Sequence, residues 1–523
     1  MAARVDRILW LLFVFVRIIW TIWPQTGYIH PDEFFQAPEV TAGKIYGILS
    51  STPWEFNETF PVRSVVFPYL MTGLPFSLLK LISEYRIAII STQNLIVAAR
   101  ILFCFFSFVI DFVVWRICLL LSKDPWSPLC VLGTSYVTLV FYTRPFSNTT
   151  ESFLFAVLLL LVISENCSAP GSLKTKEGVL KMLASGVVLT AGFWNRPTFL
   201  SFAFVPLVGW LYCVCSKKNV KTIKDVVCST APGFLAFCLG VIPTAALFVL
   251  CDSFYFGFLA KKKLVFTPLN FLMYNLDSES LKDHGIHPRI THFFVNFPLL
   301  FGPLAFVCFC FVMYQLCRQD YGDLFRNFFS RVYVCGKNET KKEKVAMSSY
   351  IRNINYTILG LSGIVPVCML SIMPHQEPRF IIPVLTPLSI IFAHMIYSRA
   401  AFKILKVLWV LWNVAGCIVF GILHHGGMYP CMSHLQMYLA TDANSTVMPT
   451  TYNIVFFHTY MPPQHLLIWS KYKKEKNKNS GMHALAVYDM AGASNGVLLD
   501  KMSNILKEQT EKKSKNGQSY VVS

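Results

Sequence analysis

Long apolar stretches recur between residues 8 and 423 and constrain the fold of this chain more than any other feature. A bilayer core about 30 Å thick takes about 20 apolar residues to cross as a helix. Hydrophobic residues make up 54% of the 523 residues, whereas Asp, Glu, Lys and Arg make up only 14%. The chain is therefore predicted to be an all-α polytopic membrane protein, with no room for a sizeable soluble domain between the crossings.

About thirteen membrane helices follow from the apolar windows and the charges that flank them. The weakest is the segment 87–99, which lies directly before a stronger one at 101–121. Retaining both places Lys80, Arg86 and the lysine run 217–221 in the cytosol with the N-terminus, because positive charge accumulates there. The predicted helices are 8–23, 65–83, 87–99, 101–121, 126–143, 151–163, 179–194, 198–215, 228–250, 293–317, 354–373, 380–398 and 407–423.

The same topology places five segments on the opposite, luminal side: 24–64, 144–150, 251–292, 374–379 and the region after residue 423. We therefore divide the chain into a transmembrane domain, 1–423, whose first luminal loop is 24–64, and a luminal tail, 424–523. The last part of the tail is polar and lysine-rich and is predicted to be disordered. Glycosylation sequons fall on the luminal side at Asn57, Asn148 and Asn444.

Two adjacent carboxylates, Asp32 and Glu33, stand in the first luminal loop within the stretch from His30 to Gln36. A carboxylate at the membrane edge is partly desolvated, which raises its pKa and favours its use as a base toward a hydroxyl group. The alternative is that both acids only cap a short helix after Pro31. Taken alone, this segment favours the capping alternative.

A second polar group, from His375 through Glu377 to Arg379, lies between two apolar segments on the same side as the first loop. Arg379 can hold a phosphate or pair with a carboxylate, and His375 can donate a hydrogen bond to a leaving oxygen. A short charged hairpin that only turns the chain is an equally good interpretation.

Further luminal candidates are spread over three other regions. Arg63, Arg144 and Arg196 could bind a lipid phosphate, although each one alone is better explained as an anchor to lipid headgroups. The loop 252–292 contributes Asn275 and His287, which are suited to hydrogen-bonding sugar hydroxyls.

Several function classes are excluded. The net charge of +18 would suggest nucleic acid in a soluble protein, but here the Lys and Arg residues lie mainly in short loops, where they act as topology signals. No nucleic-acid partner is expected. There is no Walker or dinucleotide motif, and the Cys residues in apolar runs have no zinc-ligand spacing, so neither cofactor nor metal is expected.

These motifs resemble those of the dolichol-phosphate-mannose-dependent mannosyltransferases, glycosyltransferase family 22 of the GT-C superfamily. The matching residues keep the family's order and span most of the chain: His30-Pro31-Asp32-Glu33, Arg63-Ser64, Arg144 to Asn148, and His375 to Phe380. The stretches most similar to the members that add the fourth mannose of the GPI anchor are Tyr28 to Val40, Pro53 to Phe56, Asn270 to Arg289 and Thr459 to Pro463.

The resemblance implies a GT-C fold, a catalytic domain 1–423 and an active site in the lumen of the endoplasmic reticulum. It implies inverting α-1,2 transfer of mannose from dolichol-phosphate-mannose to the third mannose of a GPI-anchor precursor. Asp32 would be the general base, with Glu33 beside it orienting the acceptor or assisting electrostatically. The donor phosphate would meet His375, Arg379, Arg63, Arg144 and Arg196, and the acceptor would meet His30, Gln36, Glu377, Asn275 and His287.

Alternatives remain within and outside this family. A third-mannose GPI enzyme or an N-glycan-precursor mannosyltransferase would share the same motifs. A polytopic transporter or flippase would share the helices, but no internal repeat is visible and Asp111 is the main acid within a predicted span. A noncatalytic subunit would not need Asp32.

Overall fold

The computed structural model describes residues 2–169, 171–217, 223–276, 287–317, 341–397, 403–445, 450–470, 484–511 and 517–523. Within these residues, eight helices are long and apolar enough to cross a bilayer, and two shorter apolar helices accompany them. The eight lie within the helices Val66–Glu84, Thr92–Leu120, Ser147–Cys167, Phe199–Lys217, Ile223–Tyr255 and Lys341–Leu370 and within the stretches Pro378–Tyr397 and Lys403–Ala443. The individual α-helices of the last two stretches are Leu385–Tyr397, Lys403–Ile418 and Met428–Ser445. The two shorter apolar helices lie at His292–Phe301 and within Pro303–Cys317. Further described helices are Ala2–Ile22, Asp32–Phe35, Pro38–Tyr46, Trp126–Thr134, Lys176–Asn195 and Thr267–Leu276.

The predicted helices 87–99 and 101–121 are a single helix, Thr92–Leu120, of 29 residues. At 1.5 Å per residue it is about 43 Å long, more than enough to cross the bilayer once. The sequence contains no Gly or Pro between its two halves, and Arg100 at the supposed boundary is buried in an ion pair with Glu33. The prediction of two helices here is therefore wrong.

The helix Val66–Glu84 is apolar enough to cross a membrane, but its contacts show that it does not. Thr72 hydrogen-bonds to Thr41 at 2.9 Å, and Lys80 donates to the carbonyl of Ile45 at 2.9 Å, so the helix follows Pro38–Tyr46 of the first loop. The chain then enters the next helix at Thr92, which donates to Leu466 of the tail at 2.9 Å. Both ends lie on the side of the first loop, which corrects the cytosolic position predicted for Lys80 and Arg86.

These two errors together remove two crossings, so the later loops keep the sides of the membrane that were predicted for them. Three predicted crossings between residues 65 and 121 become one, which leaves the parity unchanged. The first loop directly contacts all four of the other segments predicted to share its side: Gln36 with Ser147, Ser64 with Asp252, Asp32 with Arg379, and Tyr28 with Met461. The predicted luminal loops therefore meet at one face of the helical bundle.

The tail has more structure than predicted. A parallel three-stranded sheet has the order β2-β1-β3, with β1 at Thr451–Phe456, β2 at Ala484–Asp489 and β3 at Gly517–Val522. The helix Asn495–Glu511 connects β2 to β3. The disorder predicted for the last part of the tail is wrong for the end of Asn495–Glu511 and for β3, which pairs with the buried strand β1.

Two hydrophobic clusters organise the molecule. The larger one fills the helical bundle. The second joins the first loop to the tail, with Tyr28, Phe34 and Phe35 packed among Tyr452, Ile454 and Leu466. The first loop is therefore held between the bundle and the tail, which positions the acidic residues at its start.

Candidate active site

A cavity of about 600 Å³ opens at the face where the loops meet. Its walls come from the first loop, the link before Pro378–Val384, the start of Phe199–Lys217, the helix Thr267–Leu276 and the tail. The lining includes these predicted site residues: His30, Asp32, Arg63, Arg196, Asn275, His375, Glu377 and Arg379. Segments far apart in sequence thus contribute their polar residues to one volume.

Asp32 begins the short helix Asp32–Phe35, directly after Pro31. Its side chain is 22% exposed and accepts hydrogen bonds from Arg379 and from Gln36 Nε2. The backbone N–H of Asp32 donates to His30 Nδ1 at 3.2 Å. Asp32 thus combines access to the cavity with a fixed orientation, as a general base requires.

The second motif lies opposite the first. Arg379 donates through one nitrogen to Asp32 and through Nε to Glu377, so one guanidinium bridges two carboxylates. Glu377 Oε1 also accepts from His375 Nε2 at 2.7 Å, and His30 Nε2 lies 3.6 Å from the same oxygen. The two motifs, separated by more than 340 positions in sequence, form one ionic cluster.

The pKa of Asp32 shifts in the opposite direction to the one predicted. Burial alone would raise it, but the charge of Arg379, together with the contact to His30 and the charge of Arg63, holds the pKa well below its usual value. Burial likewise opposes the lowering of the Glu377 pKa, which Arg379 and His375 bring about. Both carboxyl groups are therefore ionised at neutral pH.

Glu33 does not reach the cavity, in contrast to its predicted role beside Asp32. Its side chain has 0% exposure and accepts from both Nε and Nη2 of Arg100 and from Nη1 of Arg144 at 2.6 Å. Arg144 also donates to the carbonyl of Gly27 at 2.6 Å and to Gln25 Oε1 at 3.1 Å. Glu33 and Arg144 anchor the first loop to the bundle, and neither lines the cavity.

Arg63 and Arg196, which were also predicted to bind the donor phosphate, do line the cavity, but their hydrogen-bond partners differ. Arg63 Nε donates to Glu55 Oε1 at 2.6 Å. Arg196 donates to Ser147 Oγ at 3.1 Å, and within the described part of the chain it forms no ion pair with a carboxylate. Burial and the charge of Arg63 lower the Arg196 pKa to about 10, so it still carries its charge at neutral pH.

The predicted acceptor residues separate into two groups. His30, Glu377 and Asn275 line the cavity. Gln36 lies behind Asp32, where its carbonyl accepts from Ser147 Oγ at 2.8 Å, and it thereby links Asp32 to Arg196 through Ser147. His287 braces the second motif, since its N–H donates to the carbonyl of Pro374 at 2.9 Å and its ring lies 5.6 Å from that of His375.

The three sequons differ in accessibility. Asn148 is fully buried at the start of Ser147–Cys167, so a glycan would have no room and this predicted site is wrong. Asn57 is exposed and accepts from Thr59 N at 2.9 Å, and it stays a prediction. Asn444 lies at the end of Met428–Ser445, and its side chain is outside the described part of the structure.

Two functional features escaped the sequence analysis. The sequence analysis did not single out Arg100, which lies between two apolar segments. An ionisable residue at such a position is itself a sign of a buried partner. Trp54 and Tyr274 line the cavity with ring centroids 4.5 Å apart. Their pairing joins two loops, so no local pattern could reveal it.

Among the described residues, no group of three or more His, Cys, Asp or Glu side chains is arranged to hold a metal ion. Charge in the cavity is instead balanced by arginine side chains. The cationic side chains of Arg63, Arg196 and Arg379 line the cavity and could face a phosphate.

A polytopic helical bundle with an ionised carboxylate and buried cations in one cavity at its face has the groups that a membrane-embedded transferase needs. The model of the Alg9-like mannosyltransferase family matches residues 8–468. The chain belongs to this family of mannosyltransferases. The His30–Asp32 and His375–Arg379 motifs both lie within the matched residues.

Curated relatives carry closely related names. The human protein named GPI alpha-1,2-mannosyltransferase 4 is 37% identical over 469 residues, which cover 88% of this chain and 76% of that one. GPI mannosyltransferase 4 of Drosophila melanogaster is 30% identical, covering 87% of this chain and 71% of that one. The protein of that name from Schizosaccharomyces pombe is 30% identical, covering 89% and 77%.

The solved structure of the archaeal oligosaccharyltransferase AglB from Archaeoglobus fulgidus, in complex with an inhibitory peptide and a dolichol-phosphate, shares 10% sequence identity with this chain. The superposition covers 86% of this chain and 62% of that one, with a TM-score of 0.43. A score of this size is too low to establish a shared fold.

Proposed function

We propose that this mannosyltransferase transfers the fourth mannose of a GPI-anchor precursor, from dolichol-phosphate-mannose to the 2-hydroxyl of the third mannose, with inversion to an α-1,2 bond. The observation that carries the proposal is the placement of Asp32 and Arg196 on one cavity, joined through Gln36 and Ser147. A base and a cation at a fixed separation suit attack at one end of a glycosyl phosphate and departure at the other.

Asp32 is the general base of the proposed reaction. As the acceptor oxygen forms its bond to C1 of the donor mannose, the hydroxyl proton moves to the Asp32 carboxylate. The bond between C1 and the phosphate oxygen breaks, and its electron pair leaves with dolichyl phosphate. A sugar hydroxyl is a weak nucleophile, so removal of its proton as the bond forms lowers the barrier.

Arg196 is the best candidate to hold the leaving phosphate. Arg63 is paired with Glu55, and Arg379 is shared between Asp32 and Glu377. Arg196 is buried but charged, and its described polar partners are neutral hydroxyls, so its cation is available to an anionic ligand. A preorganised cation of this kind stabilises the charge that develops on the leaving group.

Arg379 then acts on Asp32 as a positioning residue. Its guanidinium keeps the carboxylate ionised and aimed into the cavity before the acceptor arrives. The same cation lowers the proton affinity of the base. When the donor phosphate enters, its negative charge competes for Arg379, so the basicity of Asp32 rises only in the loaded cavity.

The compartment and the substrates follow from the same proposal. The N-terminus lies in the cytosol, and the face with the cavity opens to the lumen of the endoplasmic reticulum. Donor and acceptor approach laterally through the bilayer as lipids, while their head groups reach the cavity. Arginine side chains neutralise the phosphate, so the reaction needs no metal ion and should continue in the presence of a chelator.

Product analysis tests the proposal. Purified protein in lipid nanodiscs receives dolichol-phosphate-mannose and GPI intermediates that bear two or three mannoses. We expect extension of the three-mannose intermediate by one α-1,2-linked mannose, with EDTA causing no loss. Extension of the two-mannose form instead would indicate the third-mannose step, and extension of a dolichol-linked oligosaccharide would indicate an N-glycan-precursor enzyme.

A further inference from the structure

The cavity lining contains an aromatic group that the proposed chemistry does not use. Trp54, Phe271 and Tyr274 line the cavity together with Asn275. The ionic cluster around Asp32 and Arg379 contributes to the same volume. One cavity is therefore lined by charged groups and by flat apolar rings, which can contact different parts of a bound ligand.

The rings of Trp54 and Tyr274 form an accessible pair. Their centroids are 4.5 Å apart and their planes are inclined by 32°. Trp54 is 48% exposed even though the turn that carries it, Trp54–Phe56, is packed into the protein through the buried Phe56. A large aromatic side chain left half exposed at a cavity wall presents apolar surface to the contents of the cavity.

Contacts around the pair hold it in place without a ligand. Beside Trp54, Glu55 accepts from Arg63 Nε at 2.6 Å, and its carbonyl accepts from Val62 N at 3.0 Å. On the other side, Asn270 on the helix of Tyr274 donates to the carbonyl of Pro61 at 2.9 Å. The first loop and the helix Thr267–Leu276 are thus fastened together, which fixes the relative position of the two rings.

The chemistry of the two substrates decides what these rings can bind. The head group of the donor carries a phosphate, which is drawn to the arginines. The mannose residues of the acceptor are uncharged, and each has a face of C–H groups and an edge of hydroxyls. Trp and Tyr side chains offer a matching apolar surface with a polar tip.

We propose that Trp54 and Tyr274 form the stacking surface for a mannose ring of the acceptor glycan, with Asn275 at its edge, and that this surface determines which acceptor is extended. The inference rests on the proposed function for the identity of the acceptor. Stacking on this surface holds the glycan so that a single hydroxyl meets Asp32.

Kinetics of single variants test the inference. In Trp54→Ala and Tyr274→Ala, the KM for the three-mannose acceptor should rise about 5- to 10-fold, as expected for loss of one ring contact. The KM for the donor should change less than about 2-fold, and Trp54→Phe should retain most of the wild-type affinity. Phe60→Ala is the matched control, because Phe60 is an exposed aromatic residue of the same loop that lies outside the cavity lining.

A binding measurement separates this inference from the proposed function. Saturation-transfer NMR with an octyl trimannoside follows glycan binding without turnover. Binding that weakens in Trp54→Ala but not in Phe60→Ala supports the stacking surface even if the wild type extends a different acceptor. Unchanged acceptor KM and unchanged trimannoside binding in both aromatic variants, or a rise in donor KM alone, would overturn it.

Discussion

Asp32 and Glu33 are neighbours in sequence, and each is bound by arginine, yet they belong to two different clusters. Asp32 and Arg379 face a cavity, and the Asp32 side chain is 22% exposed. Glu33 lies with Arg100 and Arg144 in a closed cluster, where its side chain is 0% exposed. A carboxylate–arginine pair is therefore a candidate for catalysis only where a substrate can enter, and otherwise fastens one segment to another.

The closed cluster of Glu33, Arg100 and Arg144 positions the open cluster, which consists of Asp32 and Arg379. Glu33 ties the start of the first loop to Arg100 on Thr92–Leu120 and to Arg144 before Ser147–Cys167. Asp32 is the preceding residue, so its direction depends on that attachment. The closed cluster thus fixes the backbone of the first loop, and the open cluster supplies the carboxylate that reacts.

The largest effect is expected in Asp32→Asn, which removes the base but keeps the shape. The rate of mannose transfer should fall about 10²- to 10⁴-fold, the usual contribution of general base catalysis. Radiolabelled mannose transfer in nanodiscs measures this loss. Near wild-type transfer by a correctly folded D32N variant would remove Asp32 from the mechanism.

The matched substitution at the residue after Asp32, Glu33→Gln, should lower the stability of the protein. It leaves two buried arginines without their carboxylate, which costs about 3–5 kcal/mol. We expect a clear fall in the Tm of the detergent-solubilised protein, larger than that of D32N. If E33Q keeps its Tm but loses transfer, Glu33 belongs with the open cluster and the comparison fails.

A smaller effect distinguishes the arginines of the cavity. Arg196→Gln should raise the donor KM about 10- to 100-fold, since a charge-assisted hydrogen bond contributes about 1.5–3 kcal/mol. Arg63→Gln, which alters an arginine already paired with Glu55, serves as the control with a weaker effect. An equal rise in both variants would mean that Arg196 has no special part in binding the phosphate.

The smallest effect concerns pH. Because the Asp32 pKa is held below its usual value, the base stays ionised and wild-type kcat/KM should not fall through loss of this proton acceptor between pH 7 and pH 5. In Arg379→Gln the main cation is gone and burial raises the pKa of the carboxyl. The acid limb of the profile should then move to higher pH. Superimposable profiles for the two proteins would show that Arg379 does not control the ionisation of Asp32.

Much of the site was predictable because its residues form short motifs. His30 to Glu33 and His375 to Arg379 stand out as charged residues between apolar segments, and the alternation of charge across segments places both on one side. This prediction of sides needs only an odd number of crossings between residues 65 and 121. It therefore held although three crossings were predicted and one is present. Apolar length cannot reveal that Val66–Glu84 lies along the first loop, because that depends on what covers its surface.

The sequence by itself determined that the chain is a polytopic membrane protein, which residue types carry its chemistry, and which loops share a face. Only the tertiary structure decided that Asp32 enters the cavity while Glu33 is enclosed. Successive residues of a helix point about 100° apart, so two adjacent acids point in different directions. Which of them faces it depends on where Arg100, Arg144 and Arg379 lie, and packing of distant segments sets those positions.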